Sequence, residues 1–149
     1  MNDLRDLYQE IILDHGKSPR NFGKPEAFTA DADGYNPLCG DKVHVYVTVK
    51  DGSVEDLHFE GRGCAISMAS ASLMTEVLVG KSEEQAKALF DKFHELVTTE
   101  HELVGDDDID RLVVLGGVRQ YPSRVKCATL AWHTFNNAIT GADEAAKTE

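Results

Sequence analysis

Residues 43–59 read VHVYVTVKDGSVEDLHF, and this stretch decides the fold. Its first half alternates valine with histidine, tyrosine, threonine and lysine, and a period of two predicts a β-strand with one buried face. The Asp51-Gly52 pair is typical of a hairpin turn. The chain then returns over residues 54–60 with apolar Leu57 and Phe59. We therefore expect an antiparallel sheet at the centre of the molecule.

Other stretches around this hairpin carry the patterns of helices and of one more strand. We expect an α+β fold: an N-terminal helix, a small antiparallel three-stranded sheet and C-terminal helices. We also expect a single domain over residues 1–141 and a flexible tail over 142–149. The remaining elements are predicted as a helix over 4–15, a short strand over 29–35, helices over 64–78 and 82–97, a short helix or turn over 106–114 that Gly116-Gly117 ends, and a last helix over 122–137.

Composition excludes several classes of function. The chain has 149 residues and a net charge of −11, from 26 acidic and 15 basic residues. This balance argues against nucleic-acid binding and against binding to an anionic membrane, because both need a basic face. The first residues lack a basic segment followed by an apolar one, and no apolar run approaches the ~18 residues that span a bilayer. We expect a cytoplasmic protein.

The three cysteines are the residues most suggestive of chemistry. Cys39 and Asp41 stand two apart around Gly40, and Cys64 stands at a predicted helix start. Cys127 lies in about the first turn of the last helix, beside basic Arg124 and Lys126. A helix N-terminus or a nearby cation favours the thiolate. Because cytosolic thiols stay reduced and three is an odd number, a disulfide framework is not expected. Three thiolates and a carboxylate would suit a tetrahedral metal site.

Simpler explanations remain open at this point. A free cysteine is often a small buried apolar residue, and no C-x-x-C spacing typical of zinc fingers occurs. The histidines are assigned surface or packing roles, with exposed polar settings expected for His15, His94 and His101. The acidic run 106–108 is assigned to a solvated helix start, which carboxylates favour.

Three motifs in order resemble the iron–sulfur assembly proteins of the IscU/NifU-N type. They are NPLCGD at 36–41, GRGCAISMASAS at 61–72 and RVKCATLAW at 124–132, preceded by LYQEIILDH at 7–15 and PRN at 19–21. The resemblance extends over residues 4–138.

Within that family the chain is more similar to the SufU branch than to the IscU scaffold branch. Lys126 stands where IscU has a histidine directly before its third cysteine. The stretch between Cys64 and Cys127 is longer than in IscU, with an extra helical region around 87–110. The chaperone-docking sequence Leu-Pro-Pro-Val-Lys of IscU is replaced here by QYPSR at 120–124.

The resemblance implies a zinc site formed by Cys39, Asp41, Cys64 and Cys127, with Asp41 as the exchangeable ligand. It implies a SufS-type pyridoxal-phosphate cysteine desulfurase as partner, with downstream SUF scaffold proteins as further candidates. Cys39 would accept the sulfur, Arg124 would assist, and no reaction independent of the desulfurase is expected. The alternatives are a scaffold that assembles a [2Fe–2S] cluster, even transiently, on the same ligands, and a structural zinc protein or adaptor.

Overall fold

The computed structural model describes residues 3–99, 107–141 and 145–147. No helix within these ranges has the length and apolar character that crossing a membrane requires. The α+β prediction is confirmed. The elements are α1 (Asp3–Lys17), β1 (Ala30–Asn36), β2 (Asp41–Lys50), β3 (Ser53–Arg62), α2 (Ala65–Leu78), α3 (Glu83–Thr98), α4 (Asp107–Leu112), a 3-10 helix (Val113–Gln120), α5 (Pro122–Thr140) and β4 (Ala146–Lys147).

The sheet has four strands in the order β3-β2-β1-β4. The three longer strands pair antiparallel, as the valine alternation and the Asp51-Gly52 turn predict. The fourth strand corrects the three-stranded prediction, because Ala146 and Lys147 pair parallel with β1. Two residues carry too little periodicity to be recognised in a sequence. They also lie within the stretch that was expected to be a flexible tail.

One face of the sheet is covered by α2 and α5. The buried side chains of β2 and β3 include Val45, Val47 and Phe59, none of which has exposed surface. Trp132 of α5 stacks on Phe93 of α3 with ring centroids 4.5 Å apart. Truncating such a buried aromatic side chain costs about 3–5 kcal/mol. The helices that carry Cys64 and Cys127 therefore rest on a well-packed core.

Three local predictions are wrong. The first helix continues through Gly16 to Lys17, and His15, expected to be exposed, is buried and shares a 2.7 Å hydrogen bond with Ser72 of α2. The Gly116-Gly117 pair lies inside the 3-10 helix instead of ending a helix. Burial of neighbouring apolar side chains there outweighs the low helix propensity of glycine. His101, Asp106, and residues 142–144 and 148–149 of the expected tail lie outside the described residues.

Gly34 sets how closely β1 approaches α5. A Cβ atom at this position would lie 1.9 Å from Oγ1 of Thr134. We expect Gly34→Ala to lower the free energy of unfolding by about 1–3 kcal/mol, as overpacking of a buried site does. Urea denaturation measures this change. Adding Thr134→Ala should restore part of the loss, because the two residues are in contact. An unchanged urea midpoint for Gly34→Ala would contradict so close an approach.

Candidate metal centre

Cys39 and Asp41 are presented by the tight turn between β1 and β2. Asn36 pairs with Asp41 across the turn, and the Gly40 N–H donates a 2.9 Å hydrogen bond to the Asn36 carbonyl. Gly40 has φ +72°, a left-handed conformation that glycine adopts without strain. Cys39 is therefore exposed at the tip of the turn, whereas Asp41, the first residue of β2, is fully buried.

Cys64 is the N-cap residue of α2, as its position after Gly63 predicts. Its Sγ accepts a 3.5 Å hydrogen bond from the Ser67 N–H, and its own N–H donates a 2.9 Å hydrogen bond to Asp41 Oδ1. The N-terminal end of α2 thus meets the start of β2. N–H groups at the start of the helix therefore stabilise negative charge, the Ser67 N–H on the Cys64 sulfur and the Cys64 N–H on the Asp41 carboxylate.

Cys127 is buried on α5 and faces this junction. One ligand atom each from Cys39, Asp41 and Cys127 lies within 4.8 Å of the others. Cys64 adjoins this group: its N–H donates to Asp41 Oδ1, and its thiol is close enough to that of Cys127 to alter the pKa of both. The structure therefore brings all four sequence-predicted ligands to one place, although Cys64 stands outside the tightest group of three.

The chemistry of these donors fits Zn²⁺. Three thiolates and one carboxylate match the sulfur and oxygen ligands that zinc binds in tetrahedral sites. Ligand atoms at ordinary zinc distances stand roughly 3–4 Å apart in a tetrahedron. The group of Cys39, Asp41 and Cys127, at up to 4.8 Å, needs only a small contraction. The exposed turn that carries Cys39 is the part of the site best able to move.

Gly63 makes room for the buried carboxylate. A Cβ atom on Gly63 would lie 2.4 Å from Asp41 Oδ1 and 3.0 Å from Asp41 Cγ. These separations are shorter than van der Waals contact, so no larger residue can stand here while Asp41 keeps its position. The glycine before Cys64 therefore serves the geometry of the site as well as the entry into α2.

The thiols of Cys64 and Cys127 shift each other's pKa in opposite directions. The hydrogen bond from Cys127 lowers the pKa of Cys64 to about 6, and the Ser67 N–H acts in the same direction against burial. The same interaction with Cys64, together with burial, raises the pKa of Cys127. The Cys64 thiol is accordingly the more acidic of the pair, and the Cys127 thiol donates a 3.6 Å hydrogen bond to the Ser123 carbonyl.

This pairing predicts the pH dependence of alkylation at Cys64 in zinc-free protein. Only the thiolate reacts, so the rate of reaction with iodoacetamide should rise through about pH 6 instead of near the ordinary value of 9.0. Mass spectrometry of the peptide that contains Cys64 measures the rate. In Cys127→Ala the midpoint should move toward the ordinary value, because the main hydrogen bond is lost. A wild-type midpoint above pH 8 would contradict the lowered pKa of Cys64.

Arg124 lies on the exposed side of the cluster, one helical turn before Cys127. Negative charge on Cys64 and the hydrogen bond with Cys127 raise the pKa of Arg124. Its guanidinium therefore lies near the thiols of Cys64 and Cys127. Lys126 is half-buried on the same helix, directly before Cys127.

Sequence reasoning missed one residue of the site. Asn36 is the first residue of the NPLCGD motif, and the sequence alone assigns it no role. Its side chain is fully buried, with its amide nitrogen 3.6 Å from Cys127 Sγ. An asparagine before a proline is usually interpreted as a turn former, and the sequence holds no signal that its amide points inward.

The sequence is similar to those of known proteins. The sequence pattern of the NifU-like N terminal domain matches residues 7–141. The chain belongs to this family. The family member SufU of Bacillus subtilis, a zinc-dependent sulfurtransferase, is 39% identical over 92% of both chains. The iron–sulfur cluster assembly scaffold protein IscU of Streptococcus pyogenes is 38% identical over 93% of this chain and 86% of its own.

A solved structure supports the fold of this family member. The crystal structure of FiSufU from Fervidobacterium islandicum, assigned as an iron–sulfur cluster assembly scaffold protein for the SUF system, superposes with a TM-score of 0.80. It is 31% identical and the match covers 91% of this chain and 98% of FiSufU. The protein is thus a member of the iron–sulfur cluster assembly family that includes both IscU and SufU.

Proposed function

We propose that this protein is a zinc-dependent sulfur acceptor for iron–sulfur cluster assembly, which takes persulfide sulfur from a SufS-type cysteine desulfurase onto Cys39. One observation carries the proposal: Cys39 is exposed, yet its Sγ shares a cluster with buried Asp41 and Cys127. An incoming protein can reach Cys39, whereas Cys127 has no exposed surface.

The ligands would be Cys39, Asp41, Cys64 and Cys127. Bound zinc would keep the thiols deprotonated near neutral pH, since metal and protons compete for the same sulfur. Asp41 is the ligand most easily exchanged, because a carboxylate is a harder donor than a thiolate. The Cys64 N–H already donates to Asp41 Oδ1, and this hydrogen bond can hold the carboxylate when a partner's side chain takes its place.

The transfer step is a displacement at sulfur. The Cys39 thiolate attacks the terminal sulfur of the partner's cysteine persulfide, and a new S–S bond forms on Cys39. The S–S bond of the partner breaks, and the partner's cysteine leaves as a thiolate. No electrons are gained or lost overall. Arg124 assists by offsetting negative charge where two anionic sulfurs meet, since its guanidinium lies near the thiols.

Two features favour sulfur transfer by a SufU-type protein. The Bacillus subtilis relative that is described as a zinc-dependent sulfurtransferase matches nearly the whole chain. Lys126 occupies the position directly before Cys127, where the scaffold branch has a histidine, and a cationic amine cannot replace an imidazole as a ligand. The final receivers of the sulfur would be downstream SUF scaffold proteins.

A second candidate function is a scaffold that assembles a [2Fe–2S] cluster on the same four residues. The Streptococcus pyogenes relative favours it, because that protein is described as a cluster assembly scaffold and is similar over most of this chain. Cysteine thiolates are the usual ligands of such clusters.

The test is to incubate zinc-loaded protein with a SufS-type desulfurase and cysteine, and to locate added sulfur by peptide mass spectrometry. We expect one extra sulfur atom on the peptide that contains Cys39, and none when cysteine is left out. In parallel, zinc-free protein is incubated anaerobically with iron and sulfide. A coloured cluster that passes intact to an acceptor protein, without any sulfur on Cys39 in the first assay, would favour the scaffold instead.

A further inference from the structure

Asn36 joins three parts of the proposed metal site through a single side chain. It is the last residue of β1 and has no exposed surface. Its Nδ2 group lies 3.6 Å from Cys127 Sγ and 3.5 Å from Asp41 Oδ2. Its Oδ1 accepts a 3.2 Å hydrogen bond from the Leu38 N–H, next to Cys39.

These contacts differ in strength. An N–H···S distance of 3.6 Å is ordinary for a sulfur acceptor, whereas 3.5 Å is long for N–H···O. The amide carries two N–H donors, so it can serve Cys127 and Asp41 together. The contact with Leu38 is the i to i+2 turn that asparagine often forms with its own backbone. Cys127 is therefore the main recipient of the amide, and Asp41 the second.

We propose that Asn36 is a positioning residue of the metal site, which orients Cys127 and Asp41 through its N–H groups and the Cys39 turn through its carbonyl. The inference rests on the proposed function, because it assumes that these three residues hold the metal. Three thiolates and a carboxylate around one divalent ion leave a net negative charge. Buried N–H donors stabilise that charge where water cannot reach. Hydrogen-bond partners of this kind, which contact the ligands and not the metal, tune metal affinity.

Two variants separate the donor role from the turn. In Asn36→Ser the hydroxyl can still accept the Leu38 N–H, as serine does in similar turns, but it is too short to reach the sulfur of Cys127. Asn36→Ala loses both functions. The matched control is Asn136→Ser, the same change on α5 away from the cluster. Affinity for Zn²⁺ is measured by competition with a chelating dye, and Co²⁺ is bound as a spectroscopic probe of the thiolates.

We expect Asn36→Ser to lower zinc affinity about 10–100-fold and to shift the thiolate-to-cobalt charge-transfer band, while its metal-free urea midpoint stays near that of the wild type. Asn36→Ala should lose affinity similarly and also unfold at lower urea. Asn136→Ser should resemble the wild type in both metal assays.

The proposal is overturned if Asn36→Ser binds zinc as tightly as the wild type with an unchanged cobalt spectrum. It is also overturned if a lower free energy of unfolding of the metal-free variant fully accounts for its loss of zinc affinity. The cobalt spectrum of the wild type separates a failure of the proposed function from a failure of the role of Asn36. A wild-type cobalt complex without thiolate charge-transfer bands would overturn the proposed function itself, whereas normal wild-type bands with an unaffected Asn36→Ser overturn only the role of Asn36.

Discussion

Replacing Cys39 by alanine is expected to reduce sulfur acceptance from the desulfurase on the order of 10³-fold or more, the scale on which enzymes lose rate without their nucleophile. The desulfurase should still form its own persulfide, because that step does not use Cys39. Cys39 is the exposed thiol of the cluster, and the other two are half-buried or buried. Mass spectrometry of both proteins after a single turnover measures where the sulfur resides.

The matched control is Leu38→Ala, which trims an exposed neighbour of Cys39 that has no ligand atom. It should accept sulfur, so that loss of transfer in Cys39→Ala reports the thiol and not the shape of the turn. Asp41→Ala adds a second comparison, since it removes a ligand and keeps the nucleophile. Full transfer by Cys39→Ala would refute the role given to Cys39. If Asp41→Ala changed only the stability of the protein and still stimulated the desulfurase as the wild type does, a purely structural zinc site would be favoured.

Zinc affinity should fall at least about 100-fold in Gly63→Ala, since displacing a ligand is no less costly than losing an outer-shell partner. The added methyl group would occupy the space of the Asp41 carboxylate, 2.4 Å from Oδ1. Gly63 lies between β3 and α2 and belongs to neither, so the far-ultraviolet circular dichroism of the metal-free variant should match that of the wild type. Competition with a chelating dye measures the affinity.

Gly117→Ala provides the control for this experiment. No atom lies within 4 Å of a Cβ placed there, and the backbone at Gly117 has no positive φ. Its zinc affinity should equal that of the wild type. If Gly63→Ala bound zinc normally, Asp41 would either not be a ligand or would bind from another position, and the four-residue site would have to be revised.

Regular patterns made much of this fold predictable. The valine alternation placed β2, and the capping box of α3 was visible as Ser82 followed by Gln85, whose reciprocal hydrogen bonds measure 3.0 and 2.9 Å. The N-terminal position of Cys64 on α2 was also predicted. These features depend on neighbours in the chain, and local chemistry is what a single sequence expresses most directly.

Features that depend on distant contacts were not predictable. The pairing of β4 with β1 joins residues more than 100 positions apart and involves only two residues of β4. The 3-10 helix crosses two glycines because the residues around them are buried. The side-chain amide of Asn36 contacts Cys127 only once α5 has packed against the sheet. Each of these features depends on tertiary contacts, which local sequence patterns do not contain.

The distribution of the cluster along the chain has a consequence for biosynthesis. Its members come from the β1–β2 turn, the start of α2 and the second turn of α5, so the cluster spans almost 90 positions from Cys39 to Cys127. A nascent chain still within the ribosome exposes Cys39, Asp41 and Cys64 before α5 has emerged. Because Cys127 arrives last, the complete cluster can form only after translation of α5 and its docking on the sheet. Loading of the proposed metal site would thereby be coupled to the finished fold.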